Sequence, residues 1–228
     1  MNPLDLNTVP AYRQLREDQI CFTFDDPGTS PRVLFLGNSI TLHGIAPHLG
    51  WNRLCGMAAS AIENDYVHIC RADILKKHPN ACCHIAQVSE WERQYKQGQD
   101  VFSLYTAARD FHADVIIVRF VENCPHADFD HETFRAQTRS LLDFFNSTAK
   151  AKFVITGSFW HHPGNEDLQA LAEEYGCPFV PLSDLGDRDE MMAIGQYEHT
   201  GVARHPGDLG MKTIAGRILD ALYQNDIL

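Results

Sequence analysis

The stretch VLFLGNSITLHG, Val33 to Gly44, decides how the chain is read. Four apolar residues run directly into Gly37-Asn38-Ser39. A continuous Val/Leu/Phe run of this kind suits a strand covered on both faces, as in a parallel sheet. Gly37-Asn38-Ser39 then sits at a strand's carboxyl end. Ser39 has two readings there: a nucleophile presented at the sheet edge, or a turn residue capping a helix.

Further runs repeat the strand pattern. DVIIVRF (Asp114–Phe120) and KFVIT (Lys152–Thr156) are strong strand candidates, ACCHIAQ (Ala81–Gln87) a weaker one, and Pro178–Pro181 a short late one. Amphipathic stretches lie between them. In Glu132–Asn146, Phe134, Thr138, Leu141, Leu142 and Phe145 share a face, with Asp130 as its cap. Met211, Ile214, Ala215, Ile218 and Leu222 mark a last helix, with Asp208 placed to cap it. Asp65–Lys77 and Glu166–Tyr175 complete the set, the second stopped by Gly176. Strands alternating with helices imply right-handed βαβ crossovers and an α/β fold, a three-layer α/β/α sandwich with a mostly parallel sheet. Residues 1–31 lack this pattern and are expected to form an N-terminal extension, with Gln19–Phe24 as an edge strand or hairpin; residues 32–228 are expected to form the α/β domain.

Bulk properties narrow the function. At 228 residues the chain suits one large α/β domain, with roughly 70% of its unfolded surface buried. A formal net charge of −11 argues against nucleic acid and anionic membranes as partners. No signal peptide and no run of about 18 apolar residues is seen, so a cytoplasmic protein is expected. The seven cysteines are odd in number and show no CxxC pair; free, mostly buried thiols are expected.

In a doubly wound sheet the ligand crevice lies beyond the carboxyl ends of the strands. Gly37-Asn38-Ser39 comes after the first main strand, Glu122-Asn123 after the third, and Trp160-His161 after the fourth; His205 precedes the last helix. A hydroxyl, a side-chain amide and an imidazole on one edge form a sufficient set for acyl transfer: nucleophile, oxyanion donor and general base.

Gly37-Asn38-Ser39-Ile40-Thr41 resembles the first block, Gly-Asp-Ser-Ile-Thr, of the SGNH (GDSL-type) hydrolases. Glu122-Asn123 resembles their Asn-bearing third block, and His205-Pro206 their last block, in family order along Val33–Leu222. The resemblance implies ester hydrolysis through an acyl-enzyme on a flavodoxin-like sheet, with no cofactor and no metal. It gives Ser39 the nucleophile's role, His205 the base's, and the oxyanion to the Ser39 N–H and Asn123. The departures are specific. Asn38 stands where the pattern has Asp, Val121 where it has Gly, and no Gly comes after the second strand. Val202 stands where the last block has its acid. The group that orients His205 is therefore open: Asp208, Glu198, or a backbone carbonyl.

Asn38, His43, Trp51, Glu122, Trp160 and His161 are expected around the substrate, with the tryptophans suited to stacking on a sugar ring. His161-His162 is no metal pair, since consecutive side chains point apart and no HxxxH accompanies them. Buried Arg119 needs a carboxylate partner. The expected activity is a serine esterase removing a short acyl group, acetyl first, from a small-molecule or glycan ester. A thioesterase or lysophospholipase, and a carbohydrate-binding protein without catalysis, are the alternatives.

Overall fold

The computed structural model describes residues 20–97 and 99–228. Most of the N-terminal extension, including Gln19 of the expected edge strand, lies outside the described residues.

Six strands form one sheet: β1 (Cys21–Thr23), β2 (Arg32–Gly37), β3 (Cys82–Gln87), β4 (Val115–Arg119), β5 (Lys152–Thr156) and β6 (Phe179–Val180). Their spatial order is β1-β3-β2-β4-β5-β6. Every pairing is parallel except β1, which lies antiparallel on the β3 edge. Leaving that edge strand aside, the order is the flavodoxin-like one. Seven α-helices cover the sheet among the described residues: α1 (Tyr66–Lys77), α2 (Ser89–Gln94), α3 (Thr106–Asp110), α4 (His131–Phe145), α5 (Asn165–Tyr175), α6 (Thr200–Ala203) and α7 (Asp208–Gln224).

The period of two along each strand divides the core. Val33 and Phe35 of β2, Ile117 of β4 and Val154 of β5 face Tyr66, Cys70 and Ile74 of α1 and Met211, Ile214 and Ile218 of α7. Leu34 and Leu36, Ile116 and Val118, and Ile155 face the other layer, where Trp91, Phe134, Leu141 and Leu168 pack. Both sides of β2 and β4 are thus fully buried, which is why their sequences read as unbroken apolar runs.

The helix ends follow their local chemistry. Asp130 accepts from Thr133 N at 3.0 Å and caps α4. Asp65 caps α1 through His68 N at 2.7 Å. Gly176 ends α5 in the left-handed region, φ 62°, where a side chain is disfavoured. The last helix differs from expectation. Its N-cap is Gly207, and Asp208 is its first residue. The Asp208 carboxylate instead accepts from Ser60 N at 2.8 Å and Asn64 Nδ2 at 3.0 Å, drawn across the molecule to donors of another loop. The seven cysteines are free, and four of them are buried. No helix is long and apolar enough to cross a membrane among the described residues.

The strand order reverses between β2 and β4. Chain leaving β2 turns toward β3 on one side, while chain leaving β4 turns toward β5 on the other. The crevice where they part is where a doubly wound sheet holds its ligand, and Ser39 and Asn123 emerge on its two sides.

Candidate active site

Gly37 ends β2 in a position with no room for a side chain. A Cβ there would stand 1.8 Å from Thr41 Oγ1 and 2.8 Å from the Arg119 carbonyl oxygen. The chain therefore turns sharply at Gly37-Asn38. Thr41 N and Leu42 N both donate to the Asn38 carbonyl at 2.9 Å. Ser39 is held from behind, its carbonyl accepting from Met57 N at 2.8 Å.

The Ser39 hydroxyl meets His205 Nε2 at 2.9 Å. The other ring nitrogen, Nδ1, lies 2.7 Å from the Gly201 carbonyl oxygen. That carbonyl comes from α6. His205 N donates to Val202 O at 2.9 Å, so the last turn tightens and the Gly201 oxygen is left to the imidazole. A carbonyl only accepts, so Nδ1 carries the proton and Nε2 presents its lone pair to the Ser39 hydroxyl. The tautomer is that of a general base. Burial lowers His205 to about 4, and neighbouring His43 and Arg119 push the same way, against the Gly201 hydrogen bond and Glu122. Neither carboxylate named from the sequence occupies the Nδ1 side: Asp208 is committed to Ser60 and Asn64, and Glu198 lies on a separate groove. Val202, at the acid's sequence position, is buried in the core.

A cavity of about 220 Å³ opens over this pair, walled by Ser39, His43, Glu122, Asn123, Trp160 and His205. Trp160 stands edge-on to the His205 ring, centroids 5.4 Å apart. His43 donates from Nδ1 to the Gly44 carbonyl at 2.7 Å, leaving Nε2 a buried acceptor with no partner among the described residues. Leu49, Met57, Arg93, His199, Gly201 and Val202 complete the wall; of these Leu49, Met57 and His199 were not foreseen. Those three come from segments whose sequence carries no periodic or motif signal for the site. Three expected pocket residues lie elsewhere. Trp51 is fully buried and packs near Tyr197. His161 is exposed and pairs with Asp187 at 2.9 Å. Asn38 is fully buried beneath the site.

The oxyanion side is partly built. Among the described residues the Ser39 N–H donates to no protein acceptor. Asn123 lines the cavity, its Oδ1 accepting from Arg93 Nη2 at 2.8 Å and its Nδ2 donating to Glu92 Oε2 at 2.7 Å. One Nδ2 hydrogen remains. The loop after β3 supplies nothing: Val88 N donates to the Gly37 carbonyl at 2.6 Å and Ser89 N to Gln87 Oε1 at 3.0 Å.

Beneath the cavity lies a polar network invisible in any short motif. Arg119 is wholly buried and finds its carboxylate in Glu122, three residues on. Glu122 also accepts from Phe159 N at 2.8 Å and Asn38 Nδ2 at 2.6 Å. Burial works to raise the Glu122 carboxyl, but the Arg119 guanidinium and these donors hold it below its ordinary value. Glu92, fully buried, is raised by that burial and by Glu122.

No protein-family model and no curated protein sequence matches the chain. Solved structures do. An acetyl-xylooligosaccharide esterase variant from Geobacillus stearothermophilus superposes with a TM-score of 0.55 at 15% identity, over 86% of this chain and 95% of that one. The psychrotrophic esterase EstA from Pseudoalteromonas sp., inhibited by monoethylphosphonate, gives 0.55 at 10% identity over 86% and 98%. A two-domain esterase active on acetylated mannans, crystallised with mannopentaose, gives 0.53 at 17% identity over 87% of this chain and 50% of that one. The fold is that of the SGNH (GDSL-type) esterases.

Proposed function

We propose that the chain is a serine ester hydrolase working through a Ser-His dyad. The observation that carries this reading is the 2.9 Å contact of Ser39 Oγ with His205 Nε2, the ring's tautomer set by the Gly201 carbonyl. Ser39 Oγ attacks the ester carbonyl carbon, and its proton passes to Nε2. The carbonyl oxygen becomes an oxyanion facing the Ser39 N–H and the Asn123 amide. His205 returns the proton to the leaving alcohol, and water, activated by the same nitrogen, clears the acyl-enzyme.

The substrate reading is a short acyl group, acetyl first, on a carbohydrate. The small cavity favours a short acyl chain. A second groove of about 560 Å³ shares Leu49 and His199 with it and adds Tyr197, Gln196 and Glu198, polar and aromatic groups suited to a hydroxylated leaving group. The orphan His43 Nε2 suits a donor hydroxyl on that group. Structural neighbours that act on acetylated xylo-oligosaccharides and mannans support the same class.

The test is labelling by a fluorophosphonate together with aryl acetate hydrolysis. We expect one adduct, on Ser39, and loss of both signals in Ser39→Ala. A wild-type protein that takes no label and cleaves no acetate overturns the esterase reading and leaves a carbohydrate-binding protein on this fold. Faster turnover of long-chain esters or thioesters than of acetates overturns the acetyl assignment.

A further inference from the structure

Two departures from the SGNH pattern, Val121 and Asn38, meet at one carboxylate. Glu92, on α2, is fully buried and has no cation partner among the described residues. Each of its contacts is a donor: Val121 N at 2.6 Å, Asn123 N at 3.3 Å and Asn38 Nδ2 at 3.0 Å on Oε1, and Asn123 Nδ2 at 2.7 Å on Oε2. Val121 has φ 124°, a conformation that suits glycine and strains a β-branched residue. It stands where the pattern has Gly. The Glu92 carboxylate grips the N–H of that strained residue and, two residues on, both the backbone and the amide of Asn123.

Asn38 is explained by the same carboxylate. Its amide nitrogen lies between Glu92 Oε1 and Glu122 Oε2, at 3.0 and 2.6 Å, while its Oδ1 accepts from Arg119 Nη1 at 2.9 Å. An Asp here would be a third carboxylate beside Glu92 and Glu122, with no hydrogen to give either neighbour. Asn supplies both hydrogens.

We propose that Glu92 is the positioning residue that holds the Val121–Asn123 turn and aims the Asn123 amide at the oxyanion, replacing the pattern's Gly at 121 and requiring Asn rather than Asp at 38. The role rests on the reading of Asn123 as an oxyanion donor. Glu92 touches no reacting atom and acts through Asn123.

The experiment is a double-mutant cycle on aryl acetate hydrolysis, with amide hydrogen exchange as a readout independent of activity. Glu92→Gln keeps size but turns a donor toward an existing donor. It should lower kcat about 10–100-fold, at or below the loss of a whole oxyanion donor, with KM within about twofold. In an Asn123→Ala background it should cost less than about threefold more, because the group it aims is already gone. Exchange at Val121 and Asn123 should quicken about tenfold or more while β4 stays protected. Unchanged kcat in Glu92→Gln, additive losses in the double variant, or unchanged exchange at those amides each overturns the proposal. If Glu92→Gln does not fold, Glu92→Asp, which keeps the charge but shortens the reach, enters the same cycle with the same criteria. A wild type that takes no fluorophosphonate overturns the esterase reading instead, and exchange then decides whether Glu92 clamps the turn.

Discussion

At the scale of the residue, the decisive atom is the Gly201 carbonyl oxygen. A neutral acceptor fixes the His205 tautomer but stabilises an imidazolium less than a carboxylate does. The half-buried ring titrates near 4. Its catalytic form is the neutral one, so kcat/KM for an aryl acetate should hold from pH 7 down to about 5 and fall only as pH approaches 4. A pH–rate profile checks this; an acid limb centred at 6.5 would show a base not desolvated as described. Restoring a carboxylate by Val202→Asp should not raise kcat, because the Val202 side chain is buried in the core while Nδ1 already has its partner. That variant should instead lose about 3 kcal/mol or more of stability by burying an unpaired charge, as denaturant melts would record. Ser39, Asn123 and His205 were legible because each stands beside a recognisable element. The role of Glu92 was not: its partners lie 29 to 54 residues away in the chain, and no local pattern joins them.

At the scale of the element, the strands were legible because burial on both faces leaves no polar position to interrupt them. Helix ends were less so, because caps answer to tertiary demand. Asp208 has the position of a cap and serves Ser60 instead. Asp65 does both jobs. It caps α1 and accepts from Gly56 N at 2.9 Å, one residue before Met57, whose N–H holds the Ser39 carbonyl. Asp65→Ala should cost about 2 kcal/mol, the upper end for a lost cap, since Gly56 N is also orphaned. Urea unfolding gives the stability loss. A lower kcat at 25 °C in protein that is still folded would report the loosened Ser39 turn.

At the scale of the whole molecule, acid should act on stability through His205 and also through a histidine outside the cavity wall. His84 of β3 is buried, with Thr23 Oγ1 2.8 Å from Nδ1 and no partner for Nε2 among the described residues. Burial lowers it from 6.5 to about 4. Between those values the unfolded chain binds a proton that the folded one refuses, so stability falls as pH drops through this window, by on the order of 3 kcal/mol at its lower end. Urea midpoints at pH 7 and 4.5 should show the decline, and His84→Gln should remove its share of it and leave the share of His205, which burial lowers equally. The edge that carries the site was also foreseeable, since a doubly wound sheet holds its ligand beyond the carboxyl ends of its strands. The loops that build the cavity wall were not, as Met57 and His199 reach it by folding alone. The backbone partner of His205 has a genetic consequence. A side-chain acid can be erased by one codon change, whereas a main-chain oxygen is encoded by every residue type. The inheritance of this base's orientation is therefore spread over whatever keeps α6 wound, and the number of single nucleotide changes able to silence the site is correspondingly smaller.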